Sequence, residues 1–317
     1  MSTILADFLV RTPEGYYCPY GDFYIDALQP VSQVVVSHAH GDHASPGHQQ
    51  IFATAMTAAF MQHRYSSQPA SSYQLKAFKE EFTLGGVAIT FIPAGHILGS
   101  AQILMTYKGV KYLYTGDYKM QEDSTCEPLE IAQADVLITE CTFADPSVEH
   151  PDPVAEIKKL QGRNSNIMLG TYALGKAQRL TALLNQHCPE LRVLVHHGIM
   201  PFHKIYDSQL SEKMTYERYN RREMKQGEAN KVYLVPPMTF NSYIRAKNVL
   251  RAFASGWKRL QSQNDISLYI SDHVDWKDIL QYIADVQPRE IWTLHGDGRI
   301  LQAYFENKLS VRDILEK

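Results

Sequence analysis

Four metal-capable side chains fall within six residues in Ser37-His38-Ala39-His40-Gly41-Asp42-His43, directly after the apolar run Val34-Val35-Val36. His38 and His40 are two apart, so on an extended backbone both rings project to one side. Asp42 and His43 are adjacent and diverge, which suits a second ion beside the first. Imidazole with carboxylate is a donor set for Zn²⁺ or Mn²⁺ rather than a thiolate structural site. The bland alternative is a solvated polar loop, and clustering this dense argues against it. A centre on one loop needs ligands from other strand ends. Two segments offer them: Ala94-Gly95-His96 after residues 87–92, and Thr115-Gly116-Asp117 after residues 111–114. In each, a glycine precedes one candidate ligand where an apolar run stops. With the first cluster they supply three imidazoles for one ion, two groups for another, and a carboxylate able to bridge.

The elements that must position these groups alternate short β-rich runs with turns. Strand-like runs are expected at 23–25, 34–37, 87–92, 102–107, 111–114 and 136–139, several bounded by Gly or Pro. Leu84-Gly85-Gly86-Val87 reads as a hairpin turn, and residues 53–63 as a helix. Composition shifts near Asp145-Pro146 and Pro151-Asp152-Pro153. Beyond it come a strand at 167–169, a helix at 174–186 and a strand at 191–196, an α/β unit of its own. Lys176 and Arg179 lie near the start of that helix, where backbone N–H groups and cations can meet phosphate. Residues 243–261 pattern as an amphipathic helix, with Leu250, Phe253, Ala254, Trp257 and Leu260 on one face. Arg245, Lys247, Arg251, Lys258 and Arg259 occupy the other.

The net charge of −3 hides an asymmetry. Residues 154–264 carry 18 Lys and Arg against 7 Asp and Glu, a balance of +11, which leaves −14 for the rest. A block of one sign suggests a polyanion-binding surface. Uneven surface charge without function is the plainer alternative. The 317 residues, 44% hydrophobic, suit two domains or one large domain with an insertion. Cys18, Cys126, Cys141 and Cys188 are dispersed without a CxxC pair, as expected of reduced thiols in a cytoplasmic protein. No secretory signal and no membrane-length apolar run is read, so no membrane association is expected.

In order and spacing, Asp26, His38-x-His40-x-Asp42-His43, His96 and Asp117 resemble the four motifs of the metallo-β-lactamase fold. Leu137-Ile138-Thr139-Glu140-Cys141-Thr142-Phe143 resembles the acidic first motif of its β-CASP nuclease subgroup. Ile270-Ser271-Asp272-His273 resembles the second, and Leu294-His295-Gly296-Asp297-Gly298 the third. The phrases around Tyr17 to Asp26, Gly170 to Arg179 and Ser271 to His273 are similar to bacterial ligase-associated DNA-damage-response exonucleases. Cys141 stands where many relatives have Ser. His295 is what RNA-processing relatives use, where eukaryotic DNA-repair relatives tend to have Val, so DNA and RNA both stay open.

The resemblance implies an α/β (α+β) chain: a four-layer αββα metallo-β-lactamase sandwich over 1–147 and 266–317, with an α/β β-CASP domain inserted at 148–265 to clamp nucleic acid. It implies two divalent ions, zinc or manganese, with His38, His40 and His96 on one and Asp42, His43 and His295 on the other. Asp117 would bridge them, and Asp26 would orient a ligand from behind. A hydroxide shared by the ions would attack phosphorus, and His273, backed by Glu140, would protonate the leaving oxygen. Lys176, Arg179, Arg251, Lys258 and Arg259 are the expected nucleic-acid contacts. The implied activity is a DNA exonuclease of DNA repair, with an ATP-dependent DNA ligase and a helicase as associates. An RNA-processing nuclease, a small-molecule esterase or lactonase, and a non-catalytic nucleic-acid-binding subunit are the alternatives. The third requires missing metal ligands, and none is missing here.

Overall fold

The computed structural model describes residues 2–68, 70–220, 222, 229–243 and 249–314. Contacts divide the chain into two compact units: one of residues 1–122, 126–149 and 273–317, the other of 123–125 and 150–272. The second unit therefore runs from 150 to 272, rather than from 148 to 265. Its far boundary moves because residues 266–268 are the last strand of its own sheet.

The first sheet of unit one is built from β1 (Val10–Arg11), β2 (Tyr16–Cys18), β3 (Phe23–Ile25), β4 (Gln33–Val35), β5 (Gln50–Ala53) and β6 (Ser72–Leu75), in that order. Between β5 and β6, helix α1 (Ala55–Arg64) starts at Thr54, whose hydroxyl accepts the Thr57 N–H. The second sheet begins with β7 (Glu81–Leu84), β8 (Val87–Pro93), β9 (Ala101–Tyr107) and β10 (Val110–Tyr114), a run of antiparallel neighbours. Leu84 pairs with Val87 across the expected two-glycine hairpin. β11 (Val136–Cys141) then joins β10 in parallel.

Unit two holds β12 (Asn166–Gly170), β13 (Arg192–Val195), β14 (Glu217–Arg218), β15 (Lys231–Val235), β16 (Val249–Ala254) and β17 (Ile266–Leu268). Their order is β14-β13-β15-β12-β16-β17, with every pair parallel. Helices α2 (Pro153–Lys158), α3 (Lys176–His187), α4 (Met200–Asp207) and α5 (Pro237–Ser242) intervene. The expected amphipathic helix at 243–261 is corrected here: 249–254 is β16, 258–260 is a single 3₁₀ turn, and 244–248, with Arg245 and Lys247, lie outside the described residues. The segment alternates with period two. Leu250, Ala252 and Ala254 pack into one cluster, while Val249 and Phe253 pack into another on the opposite face. A strand with both faces covered carries apolar residues on each, and that pattern also fits a helical stripe.

The chain returns to unit one with α6 (Trp276–Val286), β18 (Glu290–Gly296), α7 (Arg299–Tyr304) and β19 (Ser310–Asp313). β18 inserts beside β11, completing the order β19-β18-β11-β10-β9-β8-β7. Phe23, Ile25, Val35 and Phe52 of the first sheet meet Ile89, Phe91, Met105, Tyr112 and Trp292 of the second in one core. On the other face of the second sheet, Leu113, Leu137 and Ile291 pack against Ile279, Tyr282, Ile283 and Val286, which share one stripe of α6. The unit is the αββα sandwich. No helix among the described residues is long and apolar enough to cross a membrane.

Candidate metal centre

Asp26 and the His38 loop meet where two parallel neighbours end together. β3 and β4 run in parallel, so Asp26, just past β3, lies against Ser37, just past β4. Asp26 Oδ1 accepts the Ser37 N–H at 2.7 Å, and its Oδ2 accepts the Ser37 hydroxyl at 2.6 Å and the Tyr114 hydroxyl at 2.9 Å. His43 Nδ1 lies 2.7 Å from the same Oδ2, so His43 donates there and turns Nε2 inward. Asp26 holds φ 47° to do this. The other two ligand loops need their glycines. Gly95 (φ +70°) and Gly116 (φ +56°) precede His96 and Asp117, and a Cβ on Gly95 would stand 2.5 Å from the Lys119 carbonyl oxygen. The His96 loop is fixed further by Thr54 and Thr57, whose hydroxyls both donate to Gly99 O, and by Ser100 Oγ, which accepts the His96 N–H.

Ligand atoms of His38, His40, His96 and Asp117 all lie within 4.8 Å of one another. His40 Nδ1 stands 3.1 Å from His38 Nε2 and 3.0 Å from His96 Nε2, and Asp117 Oδ2 is 3.5 Å and 3.7 Å from those Nε2 atoms. Hydrogen bonds alone cannot serve three imidazole nitrogens and a carboxylate oxygen so placed, whereas one cation among them serves all four. Asp117 Oδ1 faces away, 3.4 Å from His43 Nε2. The His43 ring lies 5.0 Å from that of His295, whose Nε2 is buried with no hydrogen-bond partner among the described residues. Asp42 is exposed and lines a cavity with His295 and Asp26. The donor set of His38, His40, His96 and Asp117 thus fits a divalent ion, with His43 and His295 beside it.

The electrostatics agree. Burial and the neighbouring His43 hold His38 well below the usual imidazole range, and the same two causes lower His295, so both are neutral ligands. Burial would lower His43 as well, yet Asp117 and Asp26 together carry it well above its usual value. Burial would raise Asp117, but His43 and His273 pull it well below the carboxylate range. An ion entering between them competes with that shared proton.

A second cluster abuts the first: Asp117, Glu140 and His273 also bring ligand atoms within 4.8 Å of one another. His273 Nδ1 sits 3.0 Å and 2.9 Å from the two oxygens of the fully buried Glu140, and its Nε2 lies 4.0 Å from Asp117 Oδ2. Glu140 also accepts the Tyr118 N–H at 3.2 Å and the Thr142 hydroxyl at 2.5 Å. Among the residues around the centre, Ser37, Tyr114 and Thr142 were not singled out from the sequence. Each lies within three residues of a candidate ligand or its partner, and their hydroxyls are ordinary core donors until the fold supplies the carboxylate.

A family profile described as the β-lactamase superfamily domain matches residues 19–197, more than half of the chain. The chain belongs to the β-lactamase superfamily. The chain is similar to a probable DNA ligase of Opitutus terrae, 29% identical over 304 residues that cover 90% of this chain and 29% of the relative. The endoribonuclease ysh1 of Aspergillus fumigatus is 36% identical over 128 residues, 36% of this chain and 14% of the relative. The chain thus spans less than a third of either curated relative. A crystal structure of a protein of unknown function from Enterococcus faecalis shares the fold, with a TM-score of 0.60 and 13% identity, covering 90% of this chain and 79% of that one.

The cations expected to hold nucleic acid all belong to unit two, and three of them are buried there. Lys176 is buried, donates to Ile270 O at 2.6 Å and pairs with Asp272 at 3.1 Å. Arg179, also buried, donates to Ser271 O and pairs with Asp272 at 2.9 Å, with Asp123 at 3.6 Å. Arg251 is buried on β16, donating to Phe240 O with its guanidinium 4.2 Å from that ring. The expectation of a solvent-facing phosphate contact is corrected for these three, whose charged groups are engaged inside unit two. Lys258 and Arg259 are exposed on the 3₁₀ turn, where Arg259 lies over the Trp257 ring at 4.8 Å.

Proposed function

We propose that the chain is a two-metal phosphodiesterase acting on nucleic acid, most simply a DNA exonuclease of the β-CASP type serving DNA repair. The observation that carries this reading is the His273–Glu140 pair set 4.0 Å from Asp117. An ester or lactone hydrolase needs only the metal ligands. A diester with a poor alkoxide leaving group also needs a placed proton donor.

His38, His40 and His96 would hold one ion, Asp42, His43 and His295 the other, and Asp117 both. When bound, such ions lower the pKa of an attacking water and offset charge on the phosphoryl oxygens. Zinc suits the histidine-rich donor set, with manganese as the second choice. His273 carries the proton at Nε2, on the side of Asp117, while its Nδ1–H donates to Glu140. The buried Glu140 carboxylate favours the imidazolium and keeps the ring from turning. As Nε2 releases its proton to the departing sugar oxygen, Glu140 keeps the other proton on Nδ1. Asp26 orients His43, and the Ser37 and Tyr114 hydroxyls orient Asp26.

The likeness to a probable DNA ligase over 90% of this chain supports DNA as substrate, and work beside a ligase as context. The second reading, RNA processing, is favoured by His295 beside His43 and by the likeness to the endoribonuclease ysh1. Matched DNA and RNA oligonucleotides labelled at either end test both. Mononucleotide release from one labelled DNA end is expected. Preferential RNA cleavage would replace the DNA reading, and hydrolysis of neither would reject the nuclease reading.

A further inference from the structure

A cavity of about 220 Å³ opens beside the outer half of the centre, entirely within unit one. Its inner wall is Asp26, Asp42 and His295, and its outer wall is Arg11, Pro13, Tyr16 and Leu28. The outer wall is a tight hairpin. Arg11 and Tyr16 are cross-strand partners on β1 and β2, Thr12 and Gly15 close the turn at 2.8 Å, and Leu28 N–H donates to Glu14 O at 2.8 Å. The inner wall stores backbone strain, since Asp26 (φ 47°) and His295 (φ 50°) both hold the left-handed conformation that non-glycine residues avoid.

The chemistry of the outer wall fits neither ion. Arg11 is exposed, and its guanidinium has no ion-pair partner among the described residues. Asp26 cannot take that role, because both its oxygens are already engaged by Ser37, Tyr114 and His43. Tyr16 stands edge-on to His295, with ring centroids 6.1 Å apart. Leu28 and Pro13 add apolar surface at the rim. A planar cation that can grip phosphate in two places, a hydroxyl donor and an apolar rim together match one nucleotide. The volume is below the roughly 300–1,000 Å³ of drug-sized pockets, which excludes a duplex and leaves part of a bound nucleotide in solvent.

We infer that this cavity is a mononucleotide subsite, in which Arg11 binds the phosphate flanking the scissile bond and Tyr16, Pro13 and Leu28 hold its nucleoside. The inference rests on the nuclease reading and extends it to the substrate's neighbouring residue.

Thymidine 5′-monophosphate is the probe, titrated calorimetrically against the zinc-loaded protein and its Arg11→Ala and Arg11→Lys variants. Loss of a bidentate guanidinium–phosphate contact should weaken binding about tenfold in Arg11→Ala and less in Arg11→Lys. The same variant should lose about ten times more kcat/KM on a short oligonucleotide than on bis(p-nitrophenyl) phosphate, which has no flanking nucleotide. Unchanged melting temperature confirms that the fold persists. Equal nucleotide affinity in wild type and Arg11→Ala, or no binding to either, overturns the subsite. Wild type that binds the nucleotide through Arg11 yet cleaves no diester would uphold the subsite and reject the nuclease reading.

Discussion

Asp26→Asn isolates how the fold sets the chemistry of one metal ligand. Asparagine tolerates the left-handed backbone nearly as well as aspartate, so φ 47° adds little strain. The amide oxygen can keep the Ser37 N–H bond of 2.7 Å. The amide NH₂ then replaces Oδ2, where the Ser37 and Tyr114 hydroxyls and His43 Nδ1 now donate. The hydroxyls can rotate and accept. His43 can accept at Nδ1 only by moving its proton to Nε2, the atom 3.4 Å from Asp117 Oδ1. A protonated Nε2 has no lone pair for an ion. Folding should weaken by about 1–3 kcal/mol, the scale of one lost charge-assisted bond. Affinity at one of two ion sites should fall roughly 10–100-fold, as for other changes behind a ligand. Dialysis against fixed free zinc followed by elemental analysis should find one ion held as in wild type and one held weakly. Asp26→Ala should melt lower still, because it also orphans the Ser37 N–H and adds about 1 kcal/mol of strain. Two ions held at wild-type affinity in Asp26→Asn would refute the tautomer argument.

His273→Ala should keep its metal content and lose roughly 10²–10⁴ in turnover; an unchanged rate measured by product release would remove His273 from the mechanism. Arg179→Met should cost about 3–5 kcal/mol in denaturant unfolding, because Asp272 and Asp123 lose a buried cation. The salt dependence of nucleic-acid binding should stay the same in that variant and flatten when Lys258 and Arg259 are reversed together. His203 should make unit two sensitive to acid. Its Nδ1 accepts from Gln178 Nε2 at 2.9 Å and its Nε2–H donates to Thr181 at 2.9 Å, and Gln178 cannot flip because its oxygen accepts the Gly175 N–H. Burial lowers His203 to about 4. The unfolded chain therefore takes up the proton first, and stability is lost as pH falls from about 6.5 to about 4, by roughly 3 kcal/mol at most. Melting curves should show that slope, and His203→Gln should flatten it.

Short β-rich runs bounded by turn residues were legible in the chain. The strands near 23–25, 87–92, 102–107 and 111–114 and the 84–87 hairpin lie within a residue or so of expectation. The gathering of His38, His40, His96 and Asp117 was legible because such side chains stand at fixed spacing at strand ends. The failures share one physical origin. Lys176, Arg179 and Arg251 look like surface cations because nothing local reveals a carboxylate 56 to 96 positions away, or a backbone carbonyl, that would engage them inside the unit. The helix expected at 243–261 failed because β16 is covered on both faces, which removes the alternation that marks a strand. Ser37 and Tyr114 were missed for the same reason in miniature, as hydroxyls whose role depends on a carboxylate from another strand end.

β11 lies between β10 and β18, and all six of its residues are buried. Its partner on one side is made more than twenty residues earlier, and on the other about one hundred and fifty later. A chain emerging from the ribosome therefore holds an apolar, unpaired strand edge until residue 290 arrives, and such edges invite wrong partners. All of β12–β17 is synthesised in the interval, so the second unit can finish folding while the first waits open. His273 and His295 both follow β17, the last strand of that second unit. The order of synthesis thus keeps the hydrolytic centre incomplete until the sheet that carries it can close.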